Sequence, residues 1–146
     1  SRISRPNTFC HPHRPRCSVP YRGQFEVIGT VDKKNRALLD LSLSSDSEGE
    51  FLSILAWIDT GFDGHLVISN TLIRELRLKS LATTEAILAD GSRVVLDTYI
   101  CFVDWFGERH PIQVIANEGQ LPLLGTGLLE GRILNVDYQT KQVRLD

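Results

Sequence analysis

Ala56-Trp57-Ile58-Asp59-Thr60-Gly61-Phe62-Asp63-Gly64 is the stretch on which the reading of this chain turns. An apolar run from Phe51 to Ile58 leads directly into an acid, a hydroxyl and a glycine. The run has the length and composition of a strand buried on both faces. An Asp at the end of such a strand is costly unless it is hydrogen-bonded or charge-paired. Gly61 lets the backbone turn tightly and approach a neighbouring chain or ligand. Thr60 offers one donor and two acceptor lone pairs to lock the loop. Taken alone, Asp59-Thr60-Gly61 also fits an Asp-initiated turn after a strand.

Upstream of this stretch, Phe25–Val31 and Ala37–Leu43 read as strands, and Ser44 to Glu50 reads as a polar turn. Downstream, Leu72, Ile73, Leu76 and Leu78 recur at roughly helical spacing, which predicts a short helix over Thr71–Leu78. Thr83–Leu88 and Arg93–Tyr99 flank Ala89-Asp90-Gly91-Ser92. Asp-Gly between two strand-like runs is a strong hairpin signal, because both central residues of a type I′ turn need positive φ. A second hairpin is expected from Cys101–Phe106 and His110–Ala116 around Gly107-Glu108-Arg109. Leu121–Leu124 is a short apolar strand running into Gly125-Thr126-Gly127, and Ile133–Val136 with Gln142–Leu145 forms a last hairpin. The expected fold class is all-β, with eight to ten short strands and one or two short helices.

The order strand, Asp-Thr-Gly, Asp-Gly hairpin, then two apolar residues and a glycine resembles the retropepsin-like (retroviral-type) aspartic proteases over Ala37 to Asp146. Asp59-Thr60-Gly61-Phe62-Asp63-Gly64 is especially similar to the small prokaryotic branch of that clan. The resemblance implies a closed, barrel-like acid-protease fold acting as a homodimer with one Asp-Thr-Gly per chain. It implies that Asp59 is the catalytic carboxylate, that the Thr60 hydroxyl bonds across to the partner's loop, and that the Gly61 backbone contacts the substrate main chain. Phe62 and Asp63, with the flap tip Ala89, Asp90 and Gly91, would bind substrate. Leu123, Leu124 and Gly125 would form the strand packed under the catalytic loop, and Gly125 would lead into a short helix.

Two carboxyls sharing one proton can split a peptide bond by holding a water between them, one as base and one as acid. No second Asp-Thr-Gly or Asp-Ser-Gly exists in the chain. A two-fold pairing of two Asp59 side chains supplies the missing half. The expected activity is therefore that of an aspartic endopeptidase acting on an extended peptide, with no metal or organic cofactor. The sequence departs from the retroviral pattern at Phe62, where a small residue is usual, and at Thr126-Gly127, which replaces Arg-Asp or Arg-Asn. The Arg that would pair with Asp63 is thus missing. These departures motivate the alternative reading, a non-catalytic dimerisation or peptide-binding module on the same fold.

Composition sets the remaining bounds. The 146 residues are 42% hydrophobic and 23% charged, as in an ordinary globular domain. The net charge is -2, but Arg2, Arg5, Arg14, Arg16 and Arg22 stand in the first 24 residues with no acid, so the rest carries -2 - 5 = -7. That balance argues against nucleic-acid binding. Residues 1–22, with four of the six prolines, read as a basic disordered tail ahead of a domain over 23–146. Cys10, His11, His13 and Cys17 fit no common structural zinc spacing, so no metal site is expected there. Three cysteines cannot all pair within one chain, no transmembrane run or signal peptide is visible, and a reducing, cytoplasmic location fits. His65 reads as a partly exposed loop residue, Cys101 as a buried small hydrophobe, and Trp57 and Trp105 as core. Arg74, Glu75, Arg77 and Lys79 read as the solvated face of a helix.

Overall fold

The structure, a computed structural model, describes residues 26–119 and 121–146. The readings made on residues 1–25, including the tail and the Cys10, His11, His13, Cys17 group, lie outside the described residues.

Three antiparallel strands come first: β1 (Val27–Val31), β2 (Ala37–Ser44) and β3 (Leu52–Ile58). Asp32 builds the turn between β1 and β2. Its Oδ1 accepts the backbone N–H groups of Lys34 and Arg36, both at 2.9 Å. Strand β4 (Leu66–Ser69) runs straight into helix α1 (Asn70–Leu76). Ser69 caps the helix by accepting the Leu72 N–H at 3.2 Å, which satisfies one of the orphan donors of the first turn. Arg77 closes it in the left-handed conformation, φ 56°. The long strands β5 (Lys79–Ile87), β6 (Arg93–Trp105) and β7 (Glu108–Asn117) follow, then β8 (Leu123–Leu124) and the hairpin β9 (Leu134–Asp137) and β10 (Gln142–Leu145).

The strands join in the order β5-β6-β7-β4-β8-β3-β2-β1-β10-β9, and β6 also pairs with β2. Strand β6 is what closes the barrel. Along one edge its residues Arg93–Ile100 pair with β5, and further along that edge Phe102 and Val103 pair with Ser44 and Leu43 of β2. Its other edge pairs with β7 over Thr98–Trp105. Strands β2, β3, β8, β4, β7 and β6 thereby form a ring, filled by Leu39, Leu41, Ala56, Leu66, Val103 and Leu124 among others. Arg109 pins the β2–β3 loop to the barrel, donating to the carbonyls of Asp46 and Gly49 at 3.0 Å each, with its guanidinium 4.1 Å from the Phe51 ring. Cys101 is fully buried, and burial pushes its thiol up to about 11. Among the described residues, no helix is long and apolar enough to cross a membrane.

The all-β architecture and the ten strands match expectation, and several details do not. Strand β3 is not buried on both faces: Ile54, Ala56 and Ile58 are buried, while Leu55 and Trp57 are exposed. Trp105 is core as expected, but Trp57 is not. The runs Arg93–Tyr99 and Cys101–Phe106 are one continuous strand, because β7, β5 and β2 together supply partners along its whole length. The second hairpin turns at Phe106-Gly107, at φ 55° and 85°, and β7 already begins at Glu108. The Asp90-Gly91 hairpin has a three-residue tip in which only Gly91 takes positive φ. Strand β4 was not anticipated. After Gly125 the chain makes successive turns over residues 126–131 instead of a helix.

Candidate active site

Asp59 stands one residue past β3, with its backbone still tied to the parallel strand β8. Trp57 lies opposite Leu123 and Ile58 opposite Leu124. The N–H of Trp57 donates to the Pro122 carbonyl, and that of Asp59 to the Leu124 carbonyl, each at 2.8 Å. The chain then turns sharply. The Asp59 carbonyl accepts the Phe62 N–H at 3.1 Å, and Asp59 Oδ1 accepts the Gly61 N–H at 2.9 Å. Oδ2 makes no hydrogen bond with any described residue. The loop thus fixes one carboxylate oxygen and leaves the other for an outside group.

A second set of bonds fixes the loop from below. The N–H groups of Gly125, Thr126 and Gly127 donate to the carbonyls of His65, Phe62 and Gly64, at 3.0, 2.8 and 3.0 Å. The Thr126 hydroxyl adds a bond to the Phe62 carbonyl at 3.3 Å. Leu123, Leu124 and Gly125 therefore lie directly against residues 57–65. Thr126, one of the two departures from the retroviral pattern, serves as a brace for the loop.

Phe62 folds back onto its own loop. A Cβ on Gly64 would fall 2.5 Å from the Phe62 Cζ. A Cβ on Gly125 would fall 2.5 Å from the Phe62 Cδ2 and 2.3 Å from the Gly64 carbonyl oxygen. The two glycines make the space that the aromatic ring fills, so the large residue at this position is housed by the loop itself. His65 is also structural. Its Nδ1 accepts the Gln113 N–H at 3.1 Å, which extends the β4–β7 ladder by one step toward the loop. Thr60 and Asp63 are exposed, and neither side chain is bonded to a described residue.

The proposed flap is the β5–β6 hairpin. Leu88 N–H donates to the Ser92 carbonyl at 2.8 Å, and Gly91 N–H to the Leu88 carbonyl at 2.9 Å. Asp90 Oδ1 accepts the Ser92 hydroxyl and N–H, at 2.6 and 2.9 Å. Those bonds, the hydroxyl's first, hold the Asp90 carboxyl below its ordinary value. Ala89, Asp90 and Gly91 are all exposed.

Four residues near the loop were given no role from sequence: Asp32, Arg36, Gly64 and, as a brace, His65. Arg36 lies over the Trp57 ring, 5.6 Å from its centroid. Its Nε and Nη2 both donate to Asp32 Oδ2 at 2.7 Å. Their only signal in the sequence is the four-residue spacing of Asp32 and Arg36 between the strand-like runs Phe25–Val31 and Ala37–Leu43. The β2–β3 register, which sets Leu38 opposite Trp57, brings Arg36 over the indole that precedes the loop.

No protein-family model and no curated protein matches this chain by sequence. Solved structures do match by fold. A retropepsin-like aspartic protease from Rickettsia conorii aligns with a TM-score of 0.55 at 17% identity, over 82% of this chain and 89% of that one. The EIAV protease, in complex with the inhibitor HBY-793, aligns with a TM-score of 0.49 at 16% identity, over 69% of this chain and 91% of that one. At such identities the likeness defines architecture: this chain has the retropepsin-like aspartic-protease fold.

Proposed function

We propose that the chain is an aspartic endopeptidase of the small prokaryotic Asp-Thr-Gly-Phe-Asp-Gly type, and that two copies join to bring two Asp59 carboxyls together. The observation that carries this reading is the state of Asp59. It lies at the end of a barrel strand in a loop braced from two sides, with Oδ1 held by the Gly61 N–H and Oδ2 open. A structural Asp in a turn spends its oxygens on the turn, whereas a catalytic one must keep an oxygen for water. The exposed, unbonded Thr60 hydroxyl beside it supports a partner on that side.

The chemistry follows from proximity. Two carboxyls sharing a water cannot both ionise easily, so they titrate as a pair with separated values. The ionised member takes a proton from the water. The protonated member donates to the carbonyl oxygen of the scissile bond. The peptide would lie as an extended strand beneath the β5–β6 hairpins. Packing of Phe62 onto Gly64 and Gly125 removes one motive for the non-catalytic alternative, since the ring is accommodated inside the loop.

Asp59→Asn keeps size and shape but can neither accept nor share the proton. We expect it to fold with an unchanged far-ultraviolet spectrum and to lose peptide cleavage. Cleavage by the unmutated protein should follow a bell in pH with its optimum on the acidic side of neutral. Full cleavage by Asp59→Asn, with contaminating protease excluded, would sink this reading. If the unmutated chain cuts no member of a broad peptide library from acid to neutral pH, the peptide-binding module replaces it.

A further inference from the structure

The Asp59 loop ends where β4 begins, and His65 is the residue at that join. Three contacts meet on it. Its Nδ1 accepts the Gln113 N–H of β7 at 3.1 Å. Its carbonyl accepts the Gly125 N–H at 3.0 Å. Its ring lies against Gly127, where an added Cβ would fall 2.7 Å from the His65 Cδ2. The β4–β7 ladder begins one step later, with Leu66 opposite Val114. The imidazole therefore carries that ladder into the loop.

An ordinary ladder bond is accepted by a backbone carbonyl, which accepts at every pH. An imidazole does not. Nδ1 can accept the Gln113 N–H only while the ring proton sits on Nε2, and Nε2 itself makes no hydrogen bond with a described residue. The imidazolium carries an N–H on both nitrogens, so protonation turns the acceptor into a second donor facing the first. No adjacent charge offsets that. Gln113 and its neighbours Ile112 and Val114 are uncharged, as are Gly125, Thr126 and Gly127. The nearest charged or titratable groups on β7 are already engaged, Arg109 with the carbonyls of Asp46 and Gly49 and His110 with Glu108 at 3.5 Å. Glu130 stands three positions past Gly127, exposed, and Asp63 lies exposed on the loop itself.

We infer that His65 is a positioning residue for Asp59: uncharged, with its proton on Nε2, it ties the loop to β7, and protonation releases that tie. The stretch between the two residues is short. It holds the Gly61 N–H that fixes Asp59 Oδ1 and the Phe62 N–H that closes the turn onto the Asp59 carbonyl. Freeing one end of so short a loop loosens both bonds. The consequence for cleavage rests on the peptidase reading, whereas the tie and its release do not.

Nitrogen-15 spectra of the full chain at neutral pH should show the His65 proton on Nε2. Amide exchange, corrected for its intrinsic rate, is then followed through the range in which an imidazole titrates. Protection at Gln113 and Phe62 should fall about tenfold as His65 protonates, as the loss of one hydrogen bond gives, while the β6–β7 ladder holds. His65→Asn places an amide oxygen near the position of Nδ1, an acceptor that no pH change removes, and should abolish that fall. In cleavage, kcat of the unmutated protein should drop on the acid side of its bell with KM little changed. His65→Asn should shift that acid limb to lower pH. A proton on Nδ1 at neutral pH, protection that ignores the His65 titration, or a fall that persists in His65→Asn overturns the role of His65. So does an acid limb that is the same in both proteins that cut peptide. If neither cuts any peptide, the peptidase reading goes, and exchange at Phe62 alone decides whether His65 positions the loop.

Discussion

Phe62, Gly64 and Gly125 form one packing unit, and the two glycines differ in how they can be replaced. A Cβ on Gly64 meets only the tip of the Phe62 ring, at 2.5 and 2.8 Å. A Cβ on Gly125 meets the ring and also the Gly64 and Phe62 carbonyl oxygens, at 2.3 and 2.7 Å. A ring tip can move or be trimmed, whereas a braced backbone cannot. Gly64→Ala should therefore destabilise by about 1–3 kcal/mol through overpacking, and Phe62→Leu should relieve part of that cost. Their double-mutant cycle in denaturant should show a coupling of about 1 kcal/mol. Gly125→Ala should be at least as damaging, and Phe62→Leu should not rescue it. Additive effects at Gly64 and Phe62 would mean that the ring does not occupy the space beside Gly64.

The β5–β6 hairpin is the element whose behaviour the proposed chemistry most depends on. Its tip requires positive φ only at Gly91, at 87°. Nothing lies within 4 Å of a Cβ placed there, so a substitution meets backbone strain and no clash. Gly91→Val forces a β-branched residue into that region, while Gly91→Asn tolerates it. We expect Gly91→Val to lower kcat/KM for peptide with a melting temperature only a few degrees changed, and Gly91→Asn to stay close to the unmutated protein. An unaltered rate for Gly91→Val would show that this hairpin does not close over substrate. The Asp90 carboxylate, held below its ordinary value by Ser92, adds a pH dependence to the same tip. Its contribution is present above the ordinary Asp range. It is lost as pH falls through the lowered value.

At the scale of the whole molecule, the terminal strands are natural candidates for joining two copies, and the pairing within one chain narrows that idea. Strand β10 is bonded on both sides, to β1 and to β9, so its backbone has no edge to offer. Strand β9 ends the sheet on that side, flanked by Ile133 and Tyr138, at 71% and 56% exposure. If the half-site reading holds, sedimentation at micromolar concentration should show a species of two chains. Cleavage per chain should also fall on dilution as that species dissociates. A chain that is strictly monomeric and still cuts peptide would defeat the shared site.

The loop that carries Asp59, the existence of the hairpins and the all-β class were legible in the sequence. These rest on local rules: a glycine where the chain must turn, alternation along a strand, an apolar run ending in an acid. Tertiary structure decided the rest. Strand β4 has four residues and becomes a strand because β7, 48 positions later, lies alongside it. Phe106 is a poor residue for φ 55°, yet it turns the second hairpin because Arg132 lies 3.6 Å over its ring and Trp105 packs edge-on at 5.2 Å. After Gly125 the chain closes turns three residues apart, Leu128 N–H to the Gly125 carbonyl and Leu129 N–H to the Thr126 carbonyl, while the N–H groups of Gly125, Thr126 and Gly127 anchor it to the carbonyls of His65, Phe62 and Gly64. Composition showed that β3 is apolar but for Ser53, and not what covers its outer side. The Arg36 guanidinium lies on that side, over the Trp57 ring. Such contacts join residues distant in the chain, and their free energy has no local signature from which a sequence could reveal them.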